Sequence, residues 1–450
     1  MMSKKLNLLD STMIVMGSMI GSGIFIVSAA MLRDLGSIEN LLMAWLITGL
    51  LTLLGALSYA ELGAAMPKAG GQYVYLKEAY GTLYGFLYGW TLFTVIQTGT
   101  IAAVAVAFAK FAGVLFPEVS EKNLILTIGN FSMSTVQLVG IAVIWLLTLS
   151  NFRSVKSGAL VQNVFTISKI LALIFVIAAG VYFITQSSTV NWQWNWSNLS
   201  IEGLGIGLFA AALVGSIFSS DAWNNITFTA GEIEKPEKNL PRALVLGTGG
   251  VTILYILCNL VYVKALSSAQ IEGAEFDRVG TVLMNTVFGE IGAIVMAIVI
   301  MISTFGCING LALSGARVFY AMAKDGYFIK SAASLNKQGA PQKALIMQAI
   351  WTSLLTLSGS YGDLLDYVVF AVLIFYILTV AGVFVLRSKM PDLERPYQVF
   401  AYPIVPALYI LIALVICISL LMYKPAYSFG GLGIVLLGVP VYFFMKHRTQ

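Results

Sequence analysis

Two stretches of this chain interrupt otherwise apolar runs with residues able to do chemistry. The first reads Gly17-Ser18-Met19-Ile20-Gly21-Ser22-Gly23-Ile24-Phe25. The second reads Gly215-Ser216-Ile217-Phe218-Ser219-Ser220-Asp221-Ala222-Trp223-Asn224. Glycine and serine inside an apolar helix serve either close helix packing or a break in the helix. Two clusters in corresponding places, one beside an acid that is expensive to hold in an apolar run, favour breaks. A broken helix frees N–H groups at one end and carbonyls at the other. The N–H groups carry partial positive charge and suit a carboxylate, whereas the carbonyls suit an ammonium group. A free amino acid has both groups. Ser22, Gly23 and Ile24 are expected to meet the carboxylate, with glycine letting the backbone come close. Carbonyls near Ile20 and Phe218 are expected to meet the amine, and Gly21 lies within the same binding stretch. The small residues Ser219 and Ser220 beside Phe218 suggest a substrate with a small neutral side chain such as alanine, serine or cysteine.

The elements that position these stretches follow from composition. Of 450 residues, 58% are hydrophobic and only 10% are charged, where a soluble globular protein carries about 25% charge. Lipid removes the need for a polar exterior. Runs of roughly 20 apolar residues give about twelve candidate spans, near 9–33, 38–66, 83–116, 134–151, 157–184, 203–230, 242–265, 291–322, 343–359, 363–387, 403–423 and 428–446. The interrupted runs are the first and the sixth, each opening a five-span half. The expected organisation is a first repeat at 9–184, a second, inverted repeat at 203–387, and two extra helices at 403–446. Lys and Arg favour the side of the termini by roughly 19 to 6, so both termini are expected in the cytoplasm of a multi-pass cell-membrane protein. The net charge of +5 thus reads as membrane orientation, with no nucleic-acid partner. The basic residues 1–8 lack a following cleavage site, so the first run is expected to stay as a span. Trp192, Trp194 and Trp196 read as an interfacial belt, and the segment 266–290 as a loop with short surface helices.

Single residues add detail. The ring of Phe218, placed at the break, could cover a bound molecule and act as a thin gate. Asp221 is expected to stabilise the break, with contact to a cation or carriage of a proton as alternatives. Lys169 reads as a snorkelling or structurally paired side chain. Glu232, Glu234 and Lys235 read either as inner salt bridges or as solvated charge, and Tyr255 and Asn309 as interhelical hydrogen-bonding groups. Cys258, Cys307 and Cys417 all lie in apolar runs and read as small buried hydrophobes. The only histidine is His447, and there is no paired-His motif or nucleophile elbow in a strand–helix context. An enzyme, a metal site and a cofactor are therefore not expected. A channel would show a charged ring or filter repeat, and a sensor would show a signalling domain.

Several motifs then mark a resemblance. MGSMIGSGIF at the first break, AGEIEKPEKNLPRA at 230–243 and STFGCINGLALSGARVFYAMAKDG at 303–326 are similar to the amino acid–polyamine–organocation superfamily. Asn151-Phe152-Arg153-Ser154-Val155-Lys156, with Gln162 and Lys169 following, and Pro391-Asp392-Leu393-Glu394-Arg395-Pro396-Tyr397 resemble its L-amino-acid-transporter branch. The resemblance spans nearly the whole chain. It implies an all-α membrane fold of two inverted five-helix repeats plus two helices, with helices 1 and 6 discontinuous (the LeuT-like fold). It also implies a sodium-independent exchanger of neutral L-amino acids, of the type that takes small ones such as alanine, serine and cysteine. Phe218 matches the family's aromatic gate. Lys156 matches a helix 5 lysine whose ammonium lies where sodium-coupled relatives hold a sodium ion, and Ser303 and Thr304 match hydroxyls near that ion. The chain departs from the branch in two respects. The loop 117–133 lacks the cysteine that joins a heavy subunit, so none is expected, and Asp221 stands where a small residue is usual. Proton symport, or transport of larger neutral or cationic amino acids, are the alternative expectations.

Overall fold

In lipid every backbone polar group must be satisfied within its own segment, which leaves helices as the economical solution for a chain this apolar. The computed structural model describes residues 6–68, 70–128, 131–152, 155–186, 205–358 and 361–449, and it is almost entirely helical. The helices are α1 Leu8–Met19, α2 Gly23–Leu35, α3 Ile38–Ala65, α4 Gln72–Tyr80, α5 Thr82–Thr91, α6 Gln97–Leu115, α7 Thr135–Ser150, α8 Val155–Gln186, α9 Ile206–Ala212, α10 Val214–Ser219, α11 Asn225–Phe228, α12 Pro236–Ala265, α13 Ser268–Glu272, α14 Val279–Lys324, α15 Gln342–Ser358, α16 Tyr361–Lys389, α17 Ile404–Tyr423 and α18 Pro425–Thr449. Among the described residues, nine helical stretches are long and apolar enough to cross a membrane, and Thr135–Ser150 and Ile206–Ser219 are shorter apolar helices. The tryptophans at 192, 194 and 196 lie outside the described residues.

Helix α8 shows how these elements face their surroundings. Val164, Ile167, Leu171 and Ile174 are about half exposed, while Gln162, Thr166 and Lys169 are buried. The polar residues recur at i, i+4 and i+7, one face of a helix, and that face points inward. Apolar outside and polar inside is the reverse of a soluble helix and suits lipid.

Three local features were not anticipated from the sequence. A helix occupies 72–80, turned in by positive φ at Gly70 and Gly71, where a Cβ on Gly71 would strike Thr227 of α11. Leu124–Ile128 and Phe131–Ser134 pair as an antiparallel hairpin, β1 and β2, within the loop 117–133. The third expected span is divided by a π-helical turn at Leu92–Ile96. The segment 266–290 carries the short helix α13 and a 3₁₀ turn at Glu275–Asp277, and the long helix α14 already begins at Val279.

The Pro391–Tyr397 motif is explained by packing. Arg395 donates to the carbonyls of Leu386, Met390 and Leu393, tying the loop back onto the end of α16. Beside it Arg387 forms a two-pronged pair with the buried Glu61 of α3, at 2.8 and 2.7 Å, and Glu61 also accepts from the Val399 N–H. The motif thereby fastens α16 and the following loop to the end of α3.

Candidate functional site

Helix α1 stops at Met19 and α2 starts at Gly23, so the first run is two helices joined by an extended residue, Ile20, and a short turn. The last carbonyls of α1 have no partners in their own helix, and side chains from three other helices supply them. The buried Lys169 of α8 donates to Gly17 O at 2.7 Å and to Ile20 O at 2.8 Å. The thiol of Cys307 in α14 reaches Ser18 O at 3.4 Å, and the Tyr255 hydroxyl of α12 donates to Met19 O at 3.0 Å. Ser303 of α14 approaches Ile20 O and Gly21 O at 3.5 and 3.4 Å. Five consecutive carbonyls, from Gly17 to Gly21, thus each face a donor.

The grip of α8 on α1 extends away from the break. Asn163 donates to Asp10 Oδ1 at 2.7 Å and Thr166 to Met13 O at 3.0 Å. With Lys169 these make a ladder of contacts along α1. A Cβ on Gly17 would collide with Thr166, so this glycine is required by the close approach of the two helices.

The described lysine that bridges helix 5 to the broken helix is therefore Lys169, and its full burial excludes snorkelling. The side chain of Lys156, to which the sequence reading gave this part, lies outside the described residues. Its backbone lies about 20 Å nearer the start of α8, at 1.5 Å per residue. Thr304 does not reach the break, because its hydroxyl returns to Ile300 O and Met301 O of its own helix. Adjacent residues on a helix point about 100° apart, and Ser303 is the one that faces the carbonyls.

The second run breaks differently. Helix α10 ends at Ser219, and the Ser220 N–H folds back onto Ser216 O and Ile217 O, followed by Asp221 N–H onto Phe218 O. Ala222 takes a left-handed conformation, φ 66°, and the chain resumes as α11 at Asn225. Phe218, Ser219, Ser220 and Asp221 are all buried. The two breaks touch: a Cβ on Gly23 would collide with Ser219 Oγ, which donates to Gly215 O. Ile20, Gly21, Ser22, Gly23 and Ile24 of the first break are likewise buried. Behind the second break, the Tyr376 hydroxyl of α16 donates to Asp221 Oδ1 at 2.6 Å. Tyr376 packs with Tyr59 and Trp223, ring centroids 5.2–5.6 Å from its own. Asp221 lines two small cavities, one with Gln72, Gln97, Thr100 and Asn224, the other with Thr48, Thr52, Ser220 and Tyr409.

Past α11 the chain is clipped to the N-terminal segment, Leu6 bridging Ile233 with bonds to Glu232 and Glu234. Glu232 forms a buried two-pronged pair with Arg317 of α14, at 2.6 and 3.2 Å. Glu234 and Lys235 are exposed and join no ion pair among the described residues. Asn309 accepts from Asn151 across helices at 2.9 Å. The three cysteines are buried and free, though Cys307 does more than fill space. Among the described residues, no group of three or more His, Cys, Asp or Glu side chains is placed to hold a metal ion.

A family model described as amino acid permease matches residues 6–443. The chain belongs to the amino acid permease family. This permease is 33% identical to the mouse large neutral amino acids transporter small subunit 2, over all of the present chain and 83% of that protein. It is 29% identical to the mouse b(0,+)-type amino acid transporter 1, over 99% of this chain and 88% of the relative. It is 31% identical to the serine/threonine exchanger SteT of Bacillus subtilis (strain 168), over 99% of this chain and 98% of that one. The family and these relatives are transporters, and the permease is a multi-pass membrane protein of the same kind.

Proposed function

We propose that this permease is a sodium-independent exchanger of small neutral L-amino acids such as alanine, serine and cysteine, working by alternating access. The observation that carries the reading is the Lys169 ammonium seated on the carbonyls of Gly17 and Ile20. A fixed positive charge there fills the place a sodium ion would take and leaves that ion no favourable site. In this reading the N–H groups of Ser22, Gly23 and Ile24 hold the substrate carboxylate. The amine lies against carbonyls near Ile20 and Phe218, Gly21 lines the site, and the small residues Ser219 and Ser220 leave room for a small side chain only. The Phe218 ring gates the site, and Ser303 and Lys169 hold the first break in register. The proposed frame is twelve spans in two inverted repeats, 9–184 and 203–387, with helices 403–446 added and both termini cytoplasmic. No heavy subunit joined by a disulfide is expected, because the loop 117–133 has no cysteine.

A second reading rests on Asp221. A buried carboxylate at the wall of two cavities, held by Tyr376, suits a cationic substrate group or a proton that moves with the substrate.

Uptake of radiolabelled L-serine or L-alanine into liposomes holding the purified protein, in sodium-free buffer, separates these readings. Exchange predicts uptake only against internal amino acid, indifferent to a proton gradient. Uptake into empty liposomes that follows the gradient would replace exchange with proton symport.

A further inference from the structure

The polar face of α8 contains one residue for which the site described above has no use. Gln162 lies two helical turns before Lys169 on the same face. It is 3% exposed, and neither Nε2 nor Oε1 has a hydrogen-bond partner among the described residues. An unanswered buried amide is costly and calls for an explanation.

The surroundings of the amide narrow the choice. On one flank is Gly17 of α1, where a Cβ would stand 2.5 Å from Nε2. On the other is Gly310 of α14, where a Cβ would stand 3.1 and 3.2 Å from Nε2 and Oε1. The amide is pressed between two bare backbones, and no water fits between it and either glycine. Ser18 Oγ and Asn309 Nδ2, on the residues next to those glycines, are likewise unpaired among the described residues. The carbonyl of Gly17 is occupied in this conformation by Lys169.

We propose that Gln162 is a positioning residue of the transport cycle, whose amide takes over carbonyls of α1 when the Lys169 bridge opens. Gln162 is the next donor along the face of α8 that grips α1. When α1 shifts against α8, Lys169 releases Gly17 O, and Nε2 is already beside that residue. The amide is thus unsatisfied here and satisfied there. It raises the free energy of the bridged conformation and lowers that of the opened one, which eases the change between them.

The inference rests on the exchange reading, and its test keeps the two apart. Gln162→Met and Gln162→Leu supply apolar groups of similar volume that remove the penalty here and the partner there. Serine exchange into liposomes is measured beside wild type, together with the melting temperature in detergent. The expected result is a maximum exchange rate lowered about tenfold, the factor that one lost hydrogen bond supplies. Half-saturation stays within about twofold, and the melting temperature is unchanged or higher. Wild-type rates in the variants overturn the inference. So does a fall of rate and melting temperature together, or failure of both variants to fold, which would make Gln162 a packing residue or the seat of a structural water. A wild type that does not exchange overturns the transport reading itself.

Discussion

The two breaks are built on opposite plans. At the first, carbonyls from Gly17 to Gly21 are answered by side chains of α8, α12 and α14. At the second, the end of α10 is closed by its own next residues, Ser220 and Asp221, and the Asp221 carboxylate is held by the Tyr376 hydroxyl and the backbone of Ala222. The first break is fixed from outside and bears a positive charge. The second is folded on itself and bears a potential negative one. The polar ladder from Asp10 to Lys169 ties the first break to α8, so movement at that point requires several bonds to break together. Glu232 and Arg317, buried just past α11, give the second break its tie at a distance rather than at the break itself.

The comparison can be broken most severely at Lys169. Lys169→Met removes the charged donor from Gly17 O and leaves Ile20 O only the long Ser303 contact, and losing hydrogen bonds to a charged group costs about 1.5–3 kcal/mol each. Serine exchange in liposomes is expected to fall by about 100-fold, while the protein still purifies as a folded monodisperse species. A variant with near wild-type exchange would mean that the first break needs no charge. Next comes the contact between the breaks. Gly23→Ala drives a Cβ into Ser219, and overpacking of this kind costs about 1–3 kcal/mol. Exchange should drop by about tenfold or more, and Ser219→Gly in the same chain should restore much of it. Failure of that rescue would show that the two breaks are not coupled through this contact. A smaller effect is expected at Tyr376→Phe, which removes a hydrogen bond to a charged group worth about 1.5–3 kcal/mol. Half-saturation for serine should rise several-fold with the maximum rate nearly kept. The mildest case is Ala222→Gly. A left-handed alanine costs about 1–2 kcal/mol, so glycine should leave exchange within about twofold and raise the melting temperature by a few degrees.

Both breaks could be read from the sequence because glycine and serine in an apolar run are a local signal, and local signals survive without tertiary information. Asp221 was conspicuous for the same reason. The donors that fix the first break were harder to assign, since they come from α8, α12 and α14, far away in sequence. Position along α8 is hard to read from sequence: Lys156 and Lys169 both lie on it, the packing of α8 on α1 brings Lys169 to the break, and the side chain of Lys156 lies outside the described residues. A signal for that was present. Gln162, Thr166 and Lys169 repeat at helical spacing in a helix whose other faces are apolar, which marks an inward polar stripe. Ser303 and Thr304 are neighbours that chemistry cannot rank, and the rotation of α14 ranks them. Helix 72–80 and the hairpin at 124–134 escaped because neither carries an apolar run of spanning length. The clustering of Arg395 and Arg387 around Glu61 joins residues more than 300 positions apart, beyond the reach of any local pattern.

The proposed sodium-independent exchange depends most on the Lys169 ammonium at the carbonyls of Gly17 and Ile20 taking the place of a sodium ion. The most direct measurement is serine exchange by the wild-type protein in liposomes, with external sodium replaced stepwise by choline at constant ionic strength. The account predicts a flat response across the whole range. Exchange that rises with sodium and saturates would contradict it, because it would place a cation site where Lys169 leaves none.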